Sequence, residues 1–149
     1  MRVLRLRECV APERPCDCAE RCAAYWRENV ATAAAFDPDK EHFVVLLLNT
    51  RRRLLAHNLV AMGGLDAVAV VPREVFRPAI ALAAAALVLM HQHPSGDPTP
   101  SDSDIRVTRT LMQAGVLLAL PVIDHVIMGA STPEHPKDYL SLKELGYFQ

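Results

Sequence analysis

Excess charge of either sign is missing from this sequence. Its 16 basic and 17 acidic side chains leave a net charge of −1 and are spread along the chain. That argues against a protein held to nucleic acid by electrostatics, which needs a basic stripe. Arg51-Arg52-Arg53 is the single compact basic cluster, and its place between two strand-like runs reads as a solvated hairpin turn. Long apolar runs are missing too. The longest, residues 79–90, is alanine-rich and too short to span a bilayer. No charged-then-apolar leader opens the sequence, so a cytoplasmic protein with no membrane partner is expected. Internal repeats and low-complexity linkers are absent. What is left, 149 residues of which 51% are hydrophobic, suits one domain with a sizeable core.

Cysteine is absent from most of the chain but clustered at its start, as Cys9, Cys16, Cys18 and Cys22. The spacing lacks a C-x-x-C knuckle, and a reducing compartment disfavours disulfides. Free thiols are the leading reading. A metal site remains open, because Cys18 and Cys22 would share one side of a helix starting near Asp17.

Alternating elements follow along the chain. Residues 1–10 read as an edge strand, and residues 17–36 as a helix favoured by alanine and ended by Asp37-Pro38. Residues 42–48 and 54–62 form a hairpin pair of strands. Gly63-Gly64 breaks the second, and residues 68–71 make a further strand. Pro72 opens a helix with Glu74 in its first turn, and Pro78 predicts a kink within it. A buried strand, Leu87-Val88-Leu89-Met90, leads into His91-Gln92-His93. After a proline-rich loop, Ile105, Thr108, Leu111, Met112, Gly115 and Leu118 repeat at helical spacing, and residues 121–128 form another strand.

The chemistry concentrates at His91-Gln92-His93. If the strand continues through these residues, its period of two puts both imidazoles on one face and Gln92 on the other. Pro94-Ser95-Gly96-Asp97-Pro98-Thr99-Pro100 forms a stiff turn, Ser101 starts a helix, and Asp104 falls in its first turn. The chain can thus fold back and offer a carboxylate to the histidines. Three protein ligands with an open fourth position describe a catalytic zinc site rather than a structural one. Ser101 and Asp104 are also spaced as a capping box, which needs no metal, and Asp104 has lone pairs enough for both tasks.

These residues carry a resemblance. His91 to Ser101, followed by Asp104, is similar to the signature of the RadC-like branch of the JAB/MPN (JAMM) metalloprotease fold. Phe43 to Asn49, Val71-Pro72-Arg73-Glu74-Val75-Phe76 and Asp124-His125-Val126-Ile127-Met128-Gly129 resemble the same family. The likeness covers roughly residues 38–145. Gln92 departs from it, standing where such chains usually carry Asn. The resemblance implies an α/β fold, a single mixed β-sheet flanked by helices in the cytidine-deaminase-like architecture. It divides the chain into a segment 1–37, sharing the same domain, and a JAB/MPN domain 38–149.

A hydrolytic zinc site also needs a base, because zinc lowers the pKa of bound water towards about 7 and a carboxylate must take the proton. The family's catalytic Glu precedes a Phe-led apolar strand, which favours Glu41 over Glu74, whose helix position explains it without catalysis. Ser101 matches the serine that hydrogen-bonds the oxyanion. Asp124 or His125 is a weaker candidate for orienting a ligand imidazole. The expected function is a zinc-dependent hydrolase acting on a peptide or isopeptide-linked protein. His91, His93 and Asp104 would be the metal ligands, Glu41 and Ser101 the catalytic residues. The alternative is a non-enzymatic DNA-repair or mobile-element accessory module, with DNA entering through family association alone. A zinc deaminase is disfavoured: no His-x-Glu is followed by Pro-Cys-x-x-Cys, and Cys16-Asp17-Cys18 has the wrong spacing. Oligomeric state is open.

Overall fold

The computed structural model describes residues 7–8, 14–63 and 70–148. These form one mixed sheet of six strands, β1 (Arg7–Glu8), β2 (Glu41–Leu48), β3 (Leu54–Gly63), β4 (Ala86–Gln92), β5 (Val122–Met128) and β6 (Tyr139–Ser141). In space they run β1-β3-β2-β4-β5-β6. β4 and β5 are parallel, and every other pair is antiparallel. The helices are α1 (Ala19–Tyr25), α2 (Pro72–Ala81) and α3 (Asp102–Leu117), with α3 serving as the crossover that a parallel β4–β5 pair requires.

Both faces of the sheet are covered, which is why β2 and β4 are apolar almost throughout. Val44, Leu46, Leu48, Val88 and Met90 pack under α1 with Cys22, Trp26 and Val30. Phe43, Val45, Leu47, Leu87 and Leu89 pack on the other side under α2 and α3, with Val75, Phe76, Val107 and Leu111. Alternation therefore sends His91 to the α3 face and Gln92 to the α1 face. His93 N–H still donates to Met128 O at 3.0 Å, so the ladder holds one residue past β4.

The expected helix over 17–36 is shorter. α1 gives way to a π-helical turn at Trp26–Val30, and turns follow over 31–36. Beyond Val30 the chain presents Thr32 and small alanines but no apolar stripe, and propensity alone does not hold a short helix. Phe36 instead folds back edge-on to Trp26, ring centroids 6.1 Å apart. The expected strand 68–71 falls largely outside the described residues, and Val71 is the N-cap of α2. Pro78 lies inside α2, and its carbonyl accepts from Leu82 N–H at the helix end. Residues 1–10 lie outside the described part except for β1, which occupies the sheet edge. The arginine cluster is the β2–β3 turn, where Asn49 Oδ1 accepts from Arg51 and Arg53 N–H. Among the described residues no helix is long and apolar enough to cross a membrane.

Candidate metal centre

Two elements bring His91, His93 and Asp104 together. The two imidazoles project from the end of β4, and Asp104 from the first turn of α3. His91 Nε2 and His93 Nε2 are 3.1 Å apart. Asp104 Oδ1 is 3.2 Å from His91 Nε2, and Oδ2 is 3.0 Å from His93 Nε2. His91 is fully buried and Asp104 nearly so, while His93 is partly open to solvent.

Hydrogen bonding fixes which nitrogen of each ring is free. Thr108 Oγ1 has one proton and lies 2.7 Å from Asp104 O, a carbonyl that can only accept. The hydroxyl must therefore accept from His125 Nδ1, 2.6 Å away. His125 Nε2 is then unprotonated and accepts from His91 Nδ1 at 2.8 Å. That leaves a lone pair on His91 Nε2, aimed into the cluster. His93 Nδ1 donates to Asp97 O at 2.8 Å, so its Nε2 also presents a lone pair. Two lone pairs and a carboxylate facing one another at about 3 Å repel unless a cation or a shared proton sits among them. The titration behaviour shows a proton taking that part at His93. Hydrogen bonding to Asp104 raises the His93 imidazole above its ordinary value. Burial alone would raise the Asp104 carboxyl, but His91 and His93 hold it well below its usual range. Burial and the neighbouring His91 push His125 far down, keeping it neutral as the relay demands.

A second carboxylate faces the pair. One oxygen of Glu41, at the start of β2, and one ring nitrogen each of His91 and His93 lie within 4.8 Å of one another, a grouping that could hold a metal ion. Asp104 presents an oxygen to each imidazole, at 3.2 and 3.0 Å. Phe43 walls the site, its ring stacked on His91 with centroids 6.0 Å apart and edge-on to His125 at 5.6 Å.

Ser101 is the N-cap of α3. Its Oγ accepts from Asp104 N–H at 3.1 Å, while Asp104 Oδ2 accepts from Ser101 N–H at 2.9 Å, the reciprocal capping box. A hydroxyl that accepts as a cap keeps its own proton to donate, so capping and donation to a substrate need no rotation between partners. The loop from His93 to Ser101 is pinned against the chain leaving β5. Gly96 O accepts from Ala130 N–H at 2.7 Å, and a Cβ on Gly129 would lie 2.4 Å from that same oxygen.

Glu74 stays apart, paired with Arg77 at 2.8 Å on α2. Of the Asp124-His125 pair, His125 reaches the cluster. Asp124 is turned to the other face, accepting from Ser141 Oγ at 2.7 Å and Lys143 N–H at 3.1 Å, which anchors β6. Spacing alone missed His125 because its contact depends on the parallel register, which sets it beside Leu89, one step below His91 on the same face. Cys16, Cys18 and Cys22 are free thiols, the first and last buried, and Cys9 lies outside the described residues. Cys22 Sγ points at Cys16 O, 3.6 Å away, and Cys18 is exposed at the N-cap of α1.

With this geometry in place, comparison with known proteins is informative. A family profile described as the RadC-like JAB domain matches residues 16–147, and the chain belongs to that family. The mixed sheet flanked by helices is the JAB/MPN-type α/β fold. A UPF0758 protein of Listeria welshimeri is 44% identical over 109 residues, covering 73% of this chain and 46% of that protein. One from Caldanaerobacter subterraneus is 45% identical over 109 residues, 73% of this chain and 44% of that protein. A third, from Bacillus cereus, is 41% identical over 128 residues, 86% of this chain and 52% of that protein. The chain thus spans about half the length of the curated relatives it matches.

Proposed function

We propose that this chain is a zinc-dependent hydrolase of the metallopeptidase type, cleaving an amide or isopeptide bond. The observation that carries the reading is the convergence of two imidazole lone pairs and a carboxylate at 3.0–3.2 Å, with the Glu41 carboxylate facing the same point. Two nitrogens and one oxygen suit zinc with an open position, whereas magnesium or calcium would ask for more oxygen ligands. Zinc held there would polarise a carbonyl and lower the pKa of a water towards about 7.

The residues divide the remaining work. His91, His93 and Asp104 hold the ion, with His125 and Thr108 keeping His91 in the required tautomer. Glu41 takes a proton from the attacking water and passes it to the leaving nitrogen. Ser101 donates a hydrogen bond from its hydroxyl to the oxygen that gains charge.

Metal analysis of protein purified without added zinc tests the first half. About one zinc per chain is expected, lost in His91→Ala/His93→Ala. Incubation with a proteome-derived peptide library and with isopeptide-linked protein conjugates tests the second. Cleavage that stops in Glu41→Gln while zinc stays bound supports the assignment. No cleavage, together with salt-sensitive duplex-DNA binding that survives metal removal, would replace it with an accessory module.

A further inference from the structure

Gln92 sits between the two histidines but faces the opposite side of the sheet, so strand alternation excludes it from the metal cluster. Its side chain is 7% exposed and fully committed. Oε1 accepts from His42 N–H at 2.8 Å, and Nε2 donates to Lys40 O at 2.5 Å. His42 Nδ1 donates to the same carbonyl at 2.8 Å, and its Nε2 accepts from Asp37 N–H at 3.3 Å. Lys40 and His42 are the residues on either side of Glu41. One buried amide therefore grips the peptide groups flanking the carboxylate that faces the metal cluster.

The strand register explains why a side chain is needed. β2 and β4 pair from Leu48↔Ala86 to Val44↔Met90, and there the ladder stops. Continued in step, it would next reach Phe43 with His91 and His42 with Gln92. The strands part instead, and the Gln92 amide spans the gap like a displaced peptide group. β4 thus carries His91 and His93 on one face and the fastening of Glu41 on the other. The strand that sets the imidazoles also sets where the carboxylate stands.

We propose that Gln92 is a positioning residue for Glu41, fixing the base relative to the metal ligands without touching either. This rests on the reading of Glu41 as the base. A displacement of about 1 Å can cost on the order of a hundredfold in rate, so a clamp on both flanking peptides has a large effect available to it.

The test is Gln92→Met, which keeps length and burial but removes both hydrogen bonds. Three measurements are made: zinc affinity by chelator competition, amide hydrogen exchange at His42, and kcat and KM on a peptide cleaved from the library above. Expected are zinc affinity within about threefold of the parent, His42 exchange at least about tenfold faster, and kcat lower by about ten- to a hundredfold at little-changed KM. Gln92→Asn keeps the amide but is one methylene short. It should show the same pattern at smaller size, and it serves if the Met variant is unstable. Unchanged His42 exchange in both variants overturns the clamp whatever the activity. So does loss of zinc in step with kcat, which would make Gln92 a support for the histidines. Absence of cleavage by the parent protein counts against the hydrolase reading, and the exchange measurement then decides the clamp by itself.

Discussion

Thr108 shows how much can hang on one hydroxyl. It is buried in α3, touches no candidate ligand side chain, and sets the proton positions of two imidazoles through a single geometric constraint. Thr108→Val keeps shape but leaves the His125 N–H without an acceptor, at a cost of about 1–3 kcal/mol. It also frees His125 and hence His91 to change tautomer. Expected are a lower denaturation midpoint and zinc affinity reduced by about ten- to a hundredfold, read by chelator competition. Wild-type zinc affinity in this variant would show that His91 needs no such support. Ser101 separates two roles at one position. Ser101→Ala should lose about 1 kcal/mol of helix capping and, with the donor gone, about a hundred- to a thousandfold in turnover. Ser101→Asp caps equally well but cannot donate when ionised. It should match the parent in thermal stability and still be as slow as Ser101→Ala. Full activity in Ser101→Asp would reduce the residue to a cap.

At the scale of elements, the loop between β4 and α3 is held by absence of bulk. Gly129 on one side and Gly96 on the other meet so closely that Gly129→Ala would set a methyl 2.4 Å from Gly96 O and 2.9 Å from Pro98 Cδ. Backbone on backbone cannot yield as a side chain would, so the loop must move and take His93 and Ser101 with it. The variant should remain folded by circular dichroism yet bind zinc at least about tenfold more weakly, since outer supports of a site matter on that scale. Equal affinity would mean that the loop can shift without disturbing the cluster. The same elements show what was legible beforehand. Strand alternation placed His91 and His93 together, and the fixed loop length brought Asp104 back to them. The end of α1 was not legible: helix propensity runs on through alanines 33–35, whereas the apolar surface available to cover stops at Val30. His125 was legible only as one of a family dipeptide, since its neighbour is set by parallel pairing, and Gln92 was not legible, because its partners lie 50 and 52 residues away. Local pattern reads faces and spacings well. It is blind to contacts that only the closed sheet creates.

Over the whole molecule, the two ends of the described chain are tied by Arg27 and Asp138. Arg27 Nε donates to Asp138 Oδ2 at 2.7 Å, and a second nitrogen reaches Oδ1 at 2.5 Å. This joins the turn after α1 to the connection between β5 and β6. These hydrogen bonds hold the Asp138 carboxyl below its ordinary value. The folded state thus keeps it ionised more readily than the unfolded chain does, whose value is about 3.9. Its contribution is complete at neutral pH and disappears as pH falls from about 4 through the lower folded value. Asp138→Asn should be less stable than the parent at pH 7 by less than about 1 kcal/mol, because the pair is partly exposed. Urea titrations should show that gap closing as the carboxylate protonates. A gap that persists in acid would assign the effect to packing.

The β4–α3–β5 crossover, residues 86–128, contains His91, His93, Asp104, Thr108 and His125, and Glu41 stands outside it on the neighbouring hairpin. Ion capture and proton handling would therefore be inherited on separate stretches of polypeptide. A lineage could discard the carboxylate, keep every other member of the cluster, and retain a metal-bearing scaffold free to be recruited for recognition alone. The reverse loss is harder, since the crossover that presents the histidines is also the centre of the sheet.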